Sequence, residues 1–184
     1  MKQIICKTLL RWFGWKLGPH EGVELPKCVI CVAPHTSNWD FIIGLLYSRA
    51  ENMKINFLMK KEWFFWPLGV WFRHLGGIPV NRGKHTSMTD AMAEAARKAP
   101  DFRLCVTPEG TRSLNPNWKK GFYFIALKAG IPILLYGLDF ERKLIECKHI
   151  ITPTGDVEAD MKTIKTYFKD FKGKNPEKFT VGEI

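Results

Sequence analysis

The sequence predicts an α/β domain built on a mixed, mostly parallel sheet flanked by helices. Three observations lead there. Short apolar runs such as Cys28–Val32 alternate with segments whose apolar residues recur at helical spacing. The run Cys28–Val32 is apolar throughout, as in a strand covered on both faces. Late in the chain, Ile133–Phe140 and Leu144–Ile151 are separated only by Glu141-Arg142-Lys143. So short a link makes an antiparallel pair and mixes the sheet. At 184 residues and 46% apolar, the chain has the size of a single globular domain with its own core.

The elements follow in order. Residues 3–17 read as an amphipathic helix, with Ile5, Leu9, Trp12 and Phe13 on one face and Lys7 and Arg11 opposite. This divides the chain into an N-terminal helix, residues 1–18, and the domain proper, residues 19–184. A strand at 27–33 leads into a loop carrying His35 and a helix at 39–50. A strand at 55–60 precedes short, broken helices at 62–75 around Pro67. Gly76–Arg82 reads as a turn and a short strand. Thr86 or Ser87 caps an alanine-rich helix that ends at Pro100. Arg103–Thr107 is the next strand, and Lys120–Ala129 is a helix stopped by Gly130 and Pro132. After the antiparallel pair, residues 158–172 form the last helix. Its apolar face is Met161, Ile164, Phe168 and Phe171, and Lys162, Lys165, Lys169 and Lys172 form a basic stripe.

Composition narrows the function. A formal charge of +10 suits nucleic acid, an anionic membrane surface or an acidic substrate. No nucleic-acid signature is present, so no nucleic-acid partner is expected. Trp12, Trp15, Trp63, Trp66 and Trp71 lie in two stretches mixed with Lys and Arg, the mixture favoured at a membrane–water boundary. Lys2, Lys7, Arg11 and Lys16 are unopposed by acids, which suits a helix lying among headgroups. No stretch of 18 residues is free of charge, so a spanning helix is not expected. The odd count of 5 cysteines and the lack of a signal peptide fit a reduced setting. The expected location is therefore cytoplasmic, peripheral on the inner face of the membrane. Cys28 and Cys31 are spaced like a metal or redox pair, but on a strand they point to opposite faces. No metal is expected.

The chemistry sits in two segments. His35-Thr36-Ser37-Asn38-Trp39-Asp40 follows a buried strand, and Thr107-Pro108-Glu109-Gly110-Thr111-Arg112 follows another. A histidine takes a proton near neutral pH, and an aspartate on its other nitrogen fixes the tautomer. A five-residue interval turns about 140° on a helix, so His35 must sit on the loop with Asp40 in the first helical turn. The spacing alone is weak, because His85–Asp90 repeats it. His35 is preferred because it stands at the carboxyl end of a strand, where open α/β sheets place their sites. Gly110 allows backbone N–H groups close to a ligand, and Arg112 offers a planar fork to phosphate. Glu109 can orient that arginine or bond a substrate hydroxyl. Arg82 and Lys60-Lys61 are further cations after short strands. No G-x-S-x-G elbow surrounds Ser37 or Ser113, which disfavours a serine hydrolase. Together the segments suggest acyl transfer from an activated thioester to a phosphorylated alcohol.

These residues resemble the phospholipid/glycerol acyltransferase family, typified by 1-acyl-glycerol-3-phosphate acyltransferases. The resemblance runs over about residues 28–140 through four ordered blocks. They are His35–Asp40 (H-x-S-x-x-D), Gly77–Arg82, Glu109–Arg112 and Gly130–Ile133. Phe57–Glu62 also resembles the family's lysine-bearing strand end. The resemblance implies a glycerolipid acyltransferase-like fold with His35 as general base and Asp40 as its partner. It further implies phosphate or glycerol binding by Lys60, Arg82, Glu109, Gly110, Thr111 and Arg112. The donor would be acyl-CoA or acyl-carrier protein and the acceptor a lysolipid, with no cofactor and no metal. Pro34 stands where many members carry Asn, and Asn81 where Asp is usual, so Arg82 loses a charge partner. The chain also lacks the spanning helices of many members, which favours a peripheral enzyme. Acceptors therefore stay open between lysophosphatidate and amino-acid-bearing lysolipids. A non-catalytic anionic-lipid-binding module and a thioesterase are the other readings.

Overall fold

The computed structural model describes residues 2–80 and 85–184. Asn81 and Arg82, and with them the expected phosphate contact of Arg82, lie outside the described residues. The chain begins with α1 (Lys2–Trp12) and β1 (Lys16–His20), then β2 (Lys27–Ala33) and α2 (Asn38–Ala50). Next come β3 (Asn56–Lys60), a 3-10 turn (Lys61–Trp63), α3 (Leu68–His74) and β4 (Gly77–Val80). α4 (His85–Lys98), β5 (Phe102–Val106), α5 (Gly121–Ala129) and β6 (Ile133–Asp139) follow. β7 (Leu144–Ile151), α6 (Val157–Phe168) and a second 3-10 turn (Pro176–Lys178) complete it.

The seven strands form one sheet in the order β1-β7-β6-β2-β5-β3-β4. Among the described residues only β6 and β7 pair antiparallel; the other neighbours, including β1 on β7, are parallel. β2 is central, with β6 on one side and β5 on the other. Its residues alternate between two cores. Val29, Cys31 and Ala33 face a cluster that includes Ala96, Tyr123, Ile164 and Phe168, on the side of α4, α5 and α6. Cys28 and Ile30 face a second cluster with Cys6, Leu10, Ile43 and Tyr47, on the side of α1 and α2. Cys28 and Cys31 thus lie on opposite faces, and burial pushes both thiols up.

The structure corrects four readings of the elements. The first helix stops at Trp12 rather than 17. Gly14, at φ 81°, turns the chain, and the Gly14 and Trp15 amides donate to Arg11 and Leu10 carbonyls. Lys16–His20 then joins the sheet as an edge strand, where Pro19 needs no ladder partner. The face of α1 turned to the core is Cys6 and Leu10, whereas Ile5, Trp12 and Phe13 are exposed. The alanine-rich helix begins at His85, ahead of both expected caps. The last helix ends at Phe168, not 172, and residues 169–184 continue as a strap across the end of the sheet.

Candidate active site

β2 ends at Ala33, and Pro34 brings His35 out at the carboxyl edge of the sheet. Ser37 caps α2: its hydroxyl accepts from the Trp39 amide, while Asp40, in the first turn, accepts from the Ser37 amide at 2.8 Å. The same Asp40 oxygen, Oδ2, accepts from the Thr36 amide at 2.7 Å and lies 3.1 Å from His35 Nδ1. This is a hydrogen-bond distance without hydrogen-bond alignment, since Oδ2 is already turned towards two amides. Asp40 is buried, and the His35 ring is about one-fifth exposed. The loop-and-first-turn arrangement expected for this pair is the one observed. With Nδ1 towards Asp40, Nε2 lies on the other edge of the ring.

The Thr107–Arg112 segment follows β5, the neighbour of β2. Glu109 is only 2% exposed, and both of its carboxylate oxygens accept from the His35 amide at 3.0 Å. It therefore sits beneath the histidine loop rather than on Arg112. Burial, above all, pushes its carboxyl up to about 8, with the nearby Asp40 charge adding to the effect and the His35 amide opposing it. Gly110 takes the left-handed conformation at φ 68°, and a Cβ there would press on Lys119 Cγ at 3.1 Å. Thr111 and Arg112 are exposed beyond this turn, and Thr111 Oγ1 accepts from the Ser113 amide. Lys60 ends β3 at the same edge of the sheet and is exposed. Asp90 of the second histidine/aspartate pair is exposed and bound to Lys128 at 2.6 Å.

Two features of the site went unread in the sequence. Asn115 donates through Nδ2 to the Glu109 carbonyl at 2.7 Å and accepts from the Asn117 amide, bracing the second loop. Its signal was the run Asn115-Pro116-Asn117, an Asx-turn composition. Asn175, on the C-terminal strap, binds Thr36. The breaker sequence Gly173-Lys174-Asn175-Pro176 marks irregular backbone within that strap.

A doubly covered, mostly parallel sheet with a histidine/aspartate pair and a glycine turn at its carboxyl edge defines an α/β enzyme architecture. A sequence model of the Acyltransferase family matches residues 20–135, and the chain belongs to that family. It is an O-acyltransferase. No curated protein sequence matches it. Among solved structures it is similar to the 1-acyl-sn-glycerophosphate (LPA) acyltransferase PlsC from Thermotoga maritima. The TM-score is 0.59, over 90% of this chain and 76% of that one, at 20% identity. At that identity the likeness speaks for the fold.

Proposed function

We propose that the protein transfers a fatty acyl chain from acyl-CoA or acyl-carrier protein to the hydroxyl of a lysophospholipid, with 1-acyl-glycerol-3-phosphate as the acceptor. His35 Nε2 removes the hydroxyl proton, and the oxygen attacks the thioester carbonyl. The tetrahedral intermediate collapses with cleavage of the C–S bond, and the thiol leaves carrying the proton from His35. Asp40 sets the tautomer, and its contact with Nδ1 tightens when substrate fills the site. Arg112, with Lys60 and Arg82, serves the acceptor phosphate, and Gly110 and Thr111 shape the turn that receives it. The thioester is already activated, so no metal, cofactor or covalent acyl-enzyme is needed.

The observation that carries this reading is the direct bond between the two motif segments. Glu109 holds the His35 amide, so the base and the Gly110–Arg112 turn share one edge of the sheet. In membranes the acceptor is within reach because exposed apolar side chains cluster in two stretches. One is Ile4, Ile5 and Trp12 on α1 with Phe13 just after it; the other is Trp63, Phe65, Trp66, Val70 and Trp71 after β3. Lys60, Lys61, Arg73 and His74 flank the second stretch. We assign these to the headgroup region of an anionic bilayer, with the protein peripheral on the cytoplasmic face. Among the described residues no helix is long and apolar enough to cross a membrane.

The test is acyl transfer by purified protein from labelled thioester to lysophosphatidate. His35→Ala is expected to lower turnover by about 10³-fold or more with the fold intact, whereas His85→Ala keeps most of it. Wild-type turnover in His35→Ala overturns the assignment. Thioester loss without added lysolipid would indicate a thioesterase instead.

A further inference from the structure

We propose that Asn175 is a positioning residue that holds the His35 loop from the C-terminal strap, acting through Thr36. The inference rests on His35 as the base. Asn175 Nδ2 donates to the Thr36 carbonyl at 2.9 Å, and its backbone amide donates to Thr36 Oγ1 at 3.2 Å. Thr36 is only 2% exposed, and its own amide is committed to Asp40. Its carbonyl, buried beside the strap, needs a donor that the loop does not supply. That donor comes from a residue 139 positions later and beyond residue 135, where the family match ends. Gly173 makes the approach possible, because a Cβ there would lie 2.6 Å from Thr36 Oγ1 and 3.2 Å from Pro34 Cβ.

The strap does not depend on Asn175 to stay in place. The Phe171 ring lies directly on Gly137 of β6. The Lys172 amide donates to Asp139 Oδ2 at 3.2 Å, and its carbonyl accepts from the Phe140 amide at 2.8 Å. Asp139 is fully buried and also holds the Arg142 amide and guanidinium. Two fixed points on β6 thus carry the strap to the end of β2, where the amide of Asn175 reaches the loop. Removing the side-chain amide strips the Thr36 carbonyl of its donor and loosens the loop at that point, while the strap stays docked. The imidazole, one residue from Thr36, then samples orientations in which Nε2 misses the acceptor hydroxyl.

Asn175→Ala and the isosteric Asn175→Asp, each in the full chain, test this. The expected result is a kcat lower by about 10- to 100-fold, with KM for both substrates within about twofold and a native-like melting transition. The side-chain ¹⁵N resonances of His35, assigned by their absence in His35→Ala, should shift or broaden in both variants. A purely structural role would lower the melting temperature and leave kcat per folded molecule and the His35 resonances unchanged, which overturns the proposal. Failure of both variants to fold overturns it too, since it would make Asn175 a folding residue. The resonances report on the ring whether or not His35 is the base, so this result stands apart from the activity of His35→Ala.

Discussion

Glu109 is the residue whose burial has the clearest measurable consequence. It is placed under the His35 amide with little solvent, and its carboxyl rises to about 8. Because the folded value lies above the unfolded one, folding takes up a proton between them. The stability contributed by the neutral form is complete below the ordinary carboxylate range and is lost as pH rises through about 8. Glu109→Gln keeps an acceptor for the His35 amide and carries no charge. Its stability should therefore be flat where the wild type declines. In denaturant titrations the difference between the two should grow with pH at up to about 1.4 kcal/mol per unit across that window. Equal pH dependence in the two proteins would contradict this account. The juxtaposition of His35 and Asp40 was readable from residue types and order, but the partner of Glu109 was not. Which side of a turn a carboxylate occupies depends on packing against a strand far away in sequence.

At the level of elements, most strands and helices declared themselves through apolar runs, breakers and caps, and the exceptions have physical causes. Lys16–His20 contains Gly and Pro and shows no alternation, so nothing local distinguishes it from loop; pairing with β7 makes it a strand. Apolar residues surround α1 on more than one side, and only contact with α2 decides that Cys6 and Leu10 turn inward. The helical spacing of α6 runs on to Phe171, but that ring is claimed by Gly137 and the helix gives way. This claim predicts a pairwise effect. Gly137→Ala places a Cβ within 1.9 Å of the Phe171 ring and should cost about 1–3 kcal/mol. Phe171→Leu should recover part of that loss in the double variant, whereas two independent losses would simply add. On the same face, Tyr123 donates to Asp160 at 2.8 Å and accepts from the Gly155 amide, tying α5 to the start of α6.

For the whole molecule, the proposed attachment to an anionic surface draws on both the net charge and the exposed aromatics. Of the five tryptophans that suggested a boundary, Trp15 belongs to the core, against Phe140, while Trp12, Trp63, Trp66 and Trp71 are exposed. Trp66, at 83% exposed, contributes little to folding in its present setting. Trp66→Glu should leave the melting temperature nearly unchanged and weaken sedimentation with phosphatidylglycerol vesicles by about tenfold. Raising salt should weaken the wild type as well, because a +10 chain meets a negative surface. Unaltered vesicle binding by Trp66→Glu would remove the segment after β3 from the proposed docking surface. The bond between Glu109 and the His35 loop also divides the second motif into two parts. Its inner residue is committed to the histidine loop, while Thr111, Arg112 and Leu114 face outward from the turn. Acceptor preference should therefore be separable from proton transfer. A combinatorial library confined to residues 111–114 is the natural starting point for redirecting this scaffold to new headgroups without disturbing the bond between Glu109 and the His35 loop.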